Sequence, residues 1–180
     1  MTSSSSSSSP AAEPSAADAP ADVARRGVVV VASTRAAAGT SPDLTGPVIR
    51  DWFAARGWLA DEPVVVADGA PVGEALAAAL AQGVDVVLTT GGTGLTPTDR
   101  TPEQTAPLLD REIPGIAEEL RRRGTAATPT AVLSRGLAGV AGRTVVVNLP
   151  GSRGGVRDGL DVLDPLLDHL VDQIAGGAHD

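Results

Sequence analysis

The sequence predicts an α/β domain built on a parallel sheet with helices on both faces. Continuous β-branched runs recur along the chain, and segments of helical periodicity lie between them. The stretch that follows each run is polar or glycine-rich, as expected where parallel strands end on one rim.

Val28-Val29-Val30-Val31 is the first run, typical of a strand covered on both faces. Residues 62–67 contain the second, Val64-Val65-Val66. Residues 84–89 give the third and Thr144 to Leu149 the fourth. Between them, residues 44–56 place Leu44, Val48, Ile49, Trp52 and Phe53 at helical spacing, and the Ala-rich stretch 72–82 favours helix. Over 112–123, Ile113, Ile116, Ala117 and Leu120 form one face. Pro114 suits the first turn, Arg121-Arg122-Arg123 a solvated last turn, and Gly124 the cap. The last segment repeats Val156, Leu160, Leu163, Leu167, Leu170 and Ile174, a stripe for a sheet or, alternatively, a coiled coil. Asp164-Pro165 predicts a kink or a helix restarted with Asp as its cap.

The chain has 180 residues, enough for one domain over 23–180 plus a tail. Residues 1–22 run through seven consecutive serines and then mix Ala, Pro, Asp and Glu, a low-complexity composition expected to stay disordered. That stretch lacks the apolar core of a signal peptide, and no run approaches a membrane span, so the expected location is cytoplasmic. A net charge of −8 argues against general binding to nucleic acid or to an anionic membrane. Cys is absent, which removes disulfides, thiolate metal sites and a cysteine nucleophile. All 14 basic residues are Arg. Without Lys, a Walker A loop and Schiff-base chemistry are excluded. His169 and His179 are the two histidines, both near the C-terminus and poorly placed for a triad. Carboxylates, arginines, backbone amides and a metal ion remain as candidate chemistry.

The four turns expected on the rim are Ser33-Thr34-Arg35, Asp68-Gly69, the stretch Thr89 to Gly94, and Pro150-Gly151-Ser152-Arg153. In the third, Gly91, Gly92 and Gly94 permit close approach of a ligand to the main chain, and successive amides there can cradle an anion. Thr90 and Thr93 add hydroxyl donors. The plainer reading is a tight turn with no ligand. Thr101-Pro102-Glu103 reads as a helix start with Thr as cap, which leaves Asp99 without a capping duty. Asp99 and Asp68 are either solvated loop residues or ligands for a cation that bridges phosphates. With a phosphate cradle beside them, the two acids suit magnesium-assisted phosphoryl or nucleotidyl transfer. Arg153 is either a solvated turn residue or an anion clamp.

These residues carry a resemblance. Thr89 to Gly94, then Asp99-x-Thr101-Pro102-Glu103 and Asp110-Arg111-Glu112-Ile113-Pro114-Gly115, resemble the signature of the MogA/MoaB molybdenum-cofactor biosynthesis family. Ala131-Val132-Leu133-Ser134-Arg135, Asn148 to Ser152 and Asp43-x-Thr45-Gly46-Pro47 also match, so the likeness runs over about residues 27–176. It implies a three-layer α/β/α fold of the molybdopterin-binding type. It also implies adenylylation of molybdopterin by ATP with Mg²⁺, yielding adenylylated molybdopterin and pyrophosphate. The family's critical aspartates map onto Asp68 and Asp99, as catalytic and metal-binding residues. Its substrate- and phosphate-binding positions map onto Ser33, Thr90, Gly91, Gly92, Thr93, Gly94, Pro150, Gly151 and Ser152. Family members assemble as homotrimers or hexamers. Position 34 carries Thr where the family commonly has Asp. Two further readings are a non-catalytic pterin-binding module and a CinA-like nucleotide pyrophosphatase.

Overall fold

The computed structural model describes residues 24–176. The tail expected over 1–22 and His179 lie outside the described residues. Seven strands form one sheet: β1 (Arg26–Ala32), β2 (Leu59–Ala60), β3 (Val64–Val66), β4 (Val86–Thr90), β5 (Arg111–Glu112), β6 (Ala138–Ala141) and β7 (Thr144–Leu149). β2 and β3 pair in succession with one edge of β1, and β4, β7, β6 and β5 follow in order on the other side. β1, β2, β3, β4 and β7 are mutually parallel. β6 runs antiparallel to β7, and β5 antiparallel to β6.

Side chains alternate across the central strands, and both sides are covered. Val29, Val31, Val86, Leu88, Val145 and Val147 enter one core cluster, while Val30, Val87 and Val146 enter the other. That is why each strand reads as an unbroken apolar run rather than as an alternation. The first cluster is closed by α2 (Gly46–Ala55), α5 (Pro114–Thr125), α6 (Arg153–Leu163) and α7 (Leu167–Ile174) through Ile49, Phe53, Ile116, Val156, Leu160 and Val171. The second is closed by α3 (Ala70–Ala81) through Val72, Leu76 and Ala79. Two short helices, α1 (Thr34–Ala37) and α4 (Thr101–Thr105), sit on the rim. The predicted three-layer arrangement is therefore present, and the last apolar stripe packs on the sheet rather than in a coiled coil.

Several local expectations are corrected. Gly124 does not cap α5, which continues to Thr125; a Cβ at Gly124 would meet Ala131 Cβ at 2.8 Å, so its smallness serves packing. The helix does break near Asp164-Pro165, but Asp164 ends α6 and pairs with Arg56 instead of capping α7. Arg100, not Thr101, is the N-cap residue of α4. Arg121 is not a solvated helix end: it is half-buried, and its guanidinium donates to the carbonyls of Ser134 and Gly136. β2, β5 and β6 have no counterpart in the sequence reading; β6 is Ala-Gly-Val-Ala, without a β-branched run.

Candidate functional site

The chain leaves β1 toward β3 on one side and returns past it to β4 on the other. The carboxyl ends of β1 and β4 thus bound a topological switch point, where open α/β sheets bind ligands. All four predicted turns meet there. The Thr34 amide and hydroxyl donate to Asp68 Oδ2 at 3.0 and 2.8 Å, joining the first two. The Thr90 hydroxyl donates to the Pro150 carbonyl at 2.8 Å, joining the last two. A Cβ at Gly151 would stand 3.1 Å from Gly91 Cα, tighter than ordinary contact, so a side chain there would press these turns apart by a few tenths of an ångström.

Gly91 and Gly92 have φ of +91° and +64°, a conformation that glycine adopts at little cost and residues with a side chain rarely adopt. The Gly91 amide is taken by the Leu149 carbonyl at 3.3 Å. The amides of Gly92, Thr93 and Gly94 donate to no backbone or side-chain acceptor among the described residues. The predicted cradle is therefore one residue narrower than expected, with three successive amides left for a ligand. Thr90 supplies no free donor, because its hydrogen is committed to Pro150. Thr93 is buried and accepts from the Ser134 hydroxyl at 3.4 Å. Ser33 and Ser152 are N-caps of α1 and α6, accepting from the amides of Ala36 and Gly155.

The two acids flank the cradle. Asp68 Oδ1 lies 3.2 Å from where a Cβ of Gly92 would stand, and Asp99 Oδ2 lies 2.6 Å from the equivalent point at Gly94. Asp99 is not without a local role, since the Thr96 amide donates to it at 3.2 Å. No group of three or more His, Asp or Glu side chains gathers to hold a metal among the described residues. Magnesium usually binds through one or two carboxylates and substrate phosphates, so a pair of acids beside a phosphate cradle fits that ion better than a full protein cage would.

The supporting shell was not legible as such. Arg135 donates through Nε to the Gly94 carbonyl at 2.8 Å, through its second terminal nitrogen to the Asp99 carbonyl, and pairs with Glu103. Its own amide donates to the Thr93 carbonyl at 2.9 Å. The Arg135 guanidinium holds the Glu103 carboxyl below the usual range. Thr101 donates its hydroxyl to the Gly91 carbonyl at 3.0 Å. Asn148, buried in β7, donates to Thr89 and Thr105 at 3.0 Å each and accepts from the Leu137 amide. Thr101, Glu103, Arg135 and Asn148 stood in the sequence as parts of motifs resembling a family, with Asn148 also visible as a polar residue interrupting an apolar strand.

A cavity of about 440 Å³ opens beside the cradle, lined by Thr93, Asp99, Leu120, Leu133, Ser152 and Asp158 among others. Unpaired amides and two acids at the switch point of an α/β sheet are groups suited to hold the phosphate of a small molecule. The chain belongs to the family described as "probable molybdopterin binding domain", whose model matches residues 28–169. It is 39% identical over 156 residues to a molybdenum cofactor biosynthesis bifunctional protein of Chlorobaculum tepidum, covering 86% of this chain and 50% of that protein. A molybdopterin adenylyltransferase of Haemophilus influenzae is 35% identical over 139 residues, 74% of this chain and 70% of the relative. The chain spans about half the length of the first curated relatives it matches. The solved molybdopterin biosynthesis Mog protein of Mycobacterium ulcerans superposes with a TM-score of 0.82 at 56% identity, covering 86% of this chain and 99% of that one.

Proposed function

We propose that this chain adenylylates molybdopterin with ATP. The observation that carries the reading is the run of three unpaired amides at Gly92, Thr93 and Gly94 with a carboxylate on each side. Homologues named molybdopterin adenylyltransferase support it. In this reaction an oxygen of the terminal phosphate of molybdopterin attacks the α-phosphorus of ATP. A new P–O bond forms, the bond from that phosphorus to the bridging oxygen of the β-phosphate breaks, and pyrophosphate leaves with the electron pair.

The amides of residues 92–94 would hold the reacting phosphates by donating to their oxygens, at no reorganisation cost because the loop is already fixed. Asp68 and Asp99 would hold magnesium, which offsets charge on the phosphate oxygens. Thr34 keeps Asp68 oriented, through the residue that departs from the family's usual Asp. The 440 Å³ cavity, with Ala117, Leu120 and Leu133 in its wall, suits a flat pterin. We place the protein in the cytoplasm as a homotrimer or hexamer. Among the described residues no helix is long and apolar enough to cross a membrane.

The test is to incubate the purified full chain with molybdopterin, ATP and Mg²⁺ and to measure pyrophosphate release. Release that depends on the pterin supports the proposal. Pterin binding without release would make the chain a carrier, and release of AMP from ADP-ribose without pterin would make it a pyrophosphatase.

A further inference from the structure

A second cavity, of about 340 Å³, opens on the other side of the contact between Gly91 and Gly151, which line it together with Ser33, Arg35, Asp43 and Arg153. It lies at the switch point itself, between the carboxyl ends of β1 and β4. Its charge is opposite to that of its neighbour. The larger cavity is lined by Asp99, Asp158 and Arg121, whose guanidinium is held by two carbonyls. The smaller one is lined by two arginines against one acid.

That acid is already engaged. Asp43 Oδ1 accepts from the Thr45 amide at 2.9 Å, the Thr45 hydroxyl at 3.1 Å and the Gly46 amide at 3.0 Å. Neither Arg35 nor Arg153 has a side-chain hydrogen bond or ion pair among the described residues. Ser33 uses its oxygen to accept from Ala36 and donates its hydroxyl hydrogen to nothing described. Two unengaged guanidinium groups and a hydroxyl in one cavity thus form an anion-attracting site within a chain of net charge −8. Guanidinium groups bind phosphoryl oxygens in pairs, so two of them match a diphosphate better than a monophosphate.

We propose that this cavity is the diphosphate subsite, in which Arg35 and Arg153 grip the two phosphoryl groups that depart as pyrophosphate. The assignment rests on the adenylyl-transfer reading, with the pterin in the larger cavity and the α-phosphorus over the glycine contact between them. When the bond from the α-phosphorus breaks, its electron pair goes to the bridging oxygen, and the two guanidinium groups face the added charge.

The experiment is calorimetric titration of inorganic pyrophosphate and, separately, inorganic phosphate into the full chain, with Arg35→Gln, Arg153→Gln and the double variant. Arg157→Gln, on the same helix but outside the cavity, is the control. Pyrophosphate is expected to bind more tightly than phosphate. Each cavity variant should weaken it by at least about tenfold, with the control unchanged. The variants should keep pterin binding, which shows that they fold. No pyrophosphate binding by the wild type, equal affinity for phosphate, or unchanged binding by both variants overturns the subsite. If the wild type turns over molybdopterin and ATP while the variants bind pyrophosphate normally, the subsite fails and adenylyl transfer stands. If the arginines bind pyrophosphate but no turnover occurs, the cavity stands as a diphosphate site and the adenylyl-transfer reading falls, together with the role of that site for a leaving group.

Discussion

Arg135 joins three parts of the site that are distant in sequence: the Gly94 carbonyl, the Asp99 carbonyl and the Glu103 side chain. Its removal leaves two carbonyls without their donor and lets the cradle and Asp99 drift apart. Arg135→Ala should lower kcat/KM for adenylyl transfer by about 100-fold, the scale of an ångström misplacement. Arg135→Lys, which keeps the charge but not the fork, should recover part of it. A full rate in Arg135→Ala would show that the loop holds itself. Glu103 allows a test without substrate. Its carboxyl is held low in the folded protein, so the pairing stabilises the fold above the ordinary carboxyl value of 4.5 and is lost as pH falls through the lowered one. A stability gap between wild type and Glu103→Gln should be present near about pH 7 and shrink as pH falls below the ordinary carboxyl range in urea titrations. Asp99→Asn should abolish pyrophosphate release with an unchanged far-ultraviolet spectrum; an unchanged rate would remove Asp99 from the metal role. At this scale the sequence disclosed residues whose chemistry is local, such as Asp68, Asp99 and the three glycines. It did not disclose that Thr90, Thr101 and Arg135 direct their donors at neighbouring backbone, because those acceptors are set by the fold.

Elements with strong periodicity were legible, and those held by pairing alone were not. Val28 to Val31 and Val145 to Val147 declare strands because both faces are buried. β6 has two small residues and a glycine, and gains its strand character only by pairing with β7. Glu112 falls in the helix expected over 112–123, but it pairs with β6 together with Arg111 as β5, and α5 begins at Pro114. Helix α2 shows what a legible face contributes. Phe53 is fully buried in a chain with one Phe and two Trp, and its ring centroid lies 5.3 Å from that of Trp52 and 5.6 Å from that of Trp58. All three aromatic residues therefore gather on one side of β1, where Gly27 leaves room for the ring. Phe53→Ala should lower unfolding free energy by about 3–5 kcal/mol in urea titrations, the usual effect of emptying such a site. The glycine loop is on the opposite end of β1 from Gly27, so residual folded protein should keep pterin affinity near the wild-type value.

The four rim turns lie far apart in the chain, at 33–35, 68–69, 89–94 and 150–153, and only the whole sheet brings them together. Their convergence was predictable because parallel strands must end on one edge, whereas the division of that edge into two cavities of opposite charge was not. That division depends on which side of Gly91 each arginine and aspartate falls. The outer surface makes a separate demand. Leu44, Leu59, Val64, Leu95 and Val132 are all exposed in the isolated chain. Leu59 and Val64 lie in β2 and β3, which pair with β1 at the sheet's edge. Single exposed leucines need no explanation, but an edge strand carrying apolar side chains invites association. A homotrimer or hexamer would cover some of them by repeating one contact around an axis. Multi-angle light scattering of the full chain should therefore return three or six times the mass of one chain, unchanged on dilution through the micromolar range. A single-chain mass would remove the oligomer and leave those side chains to a different partner. Pterin affinity measured across the same dilution would then show whether each rim works alone.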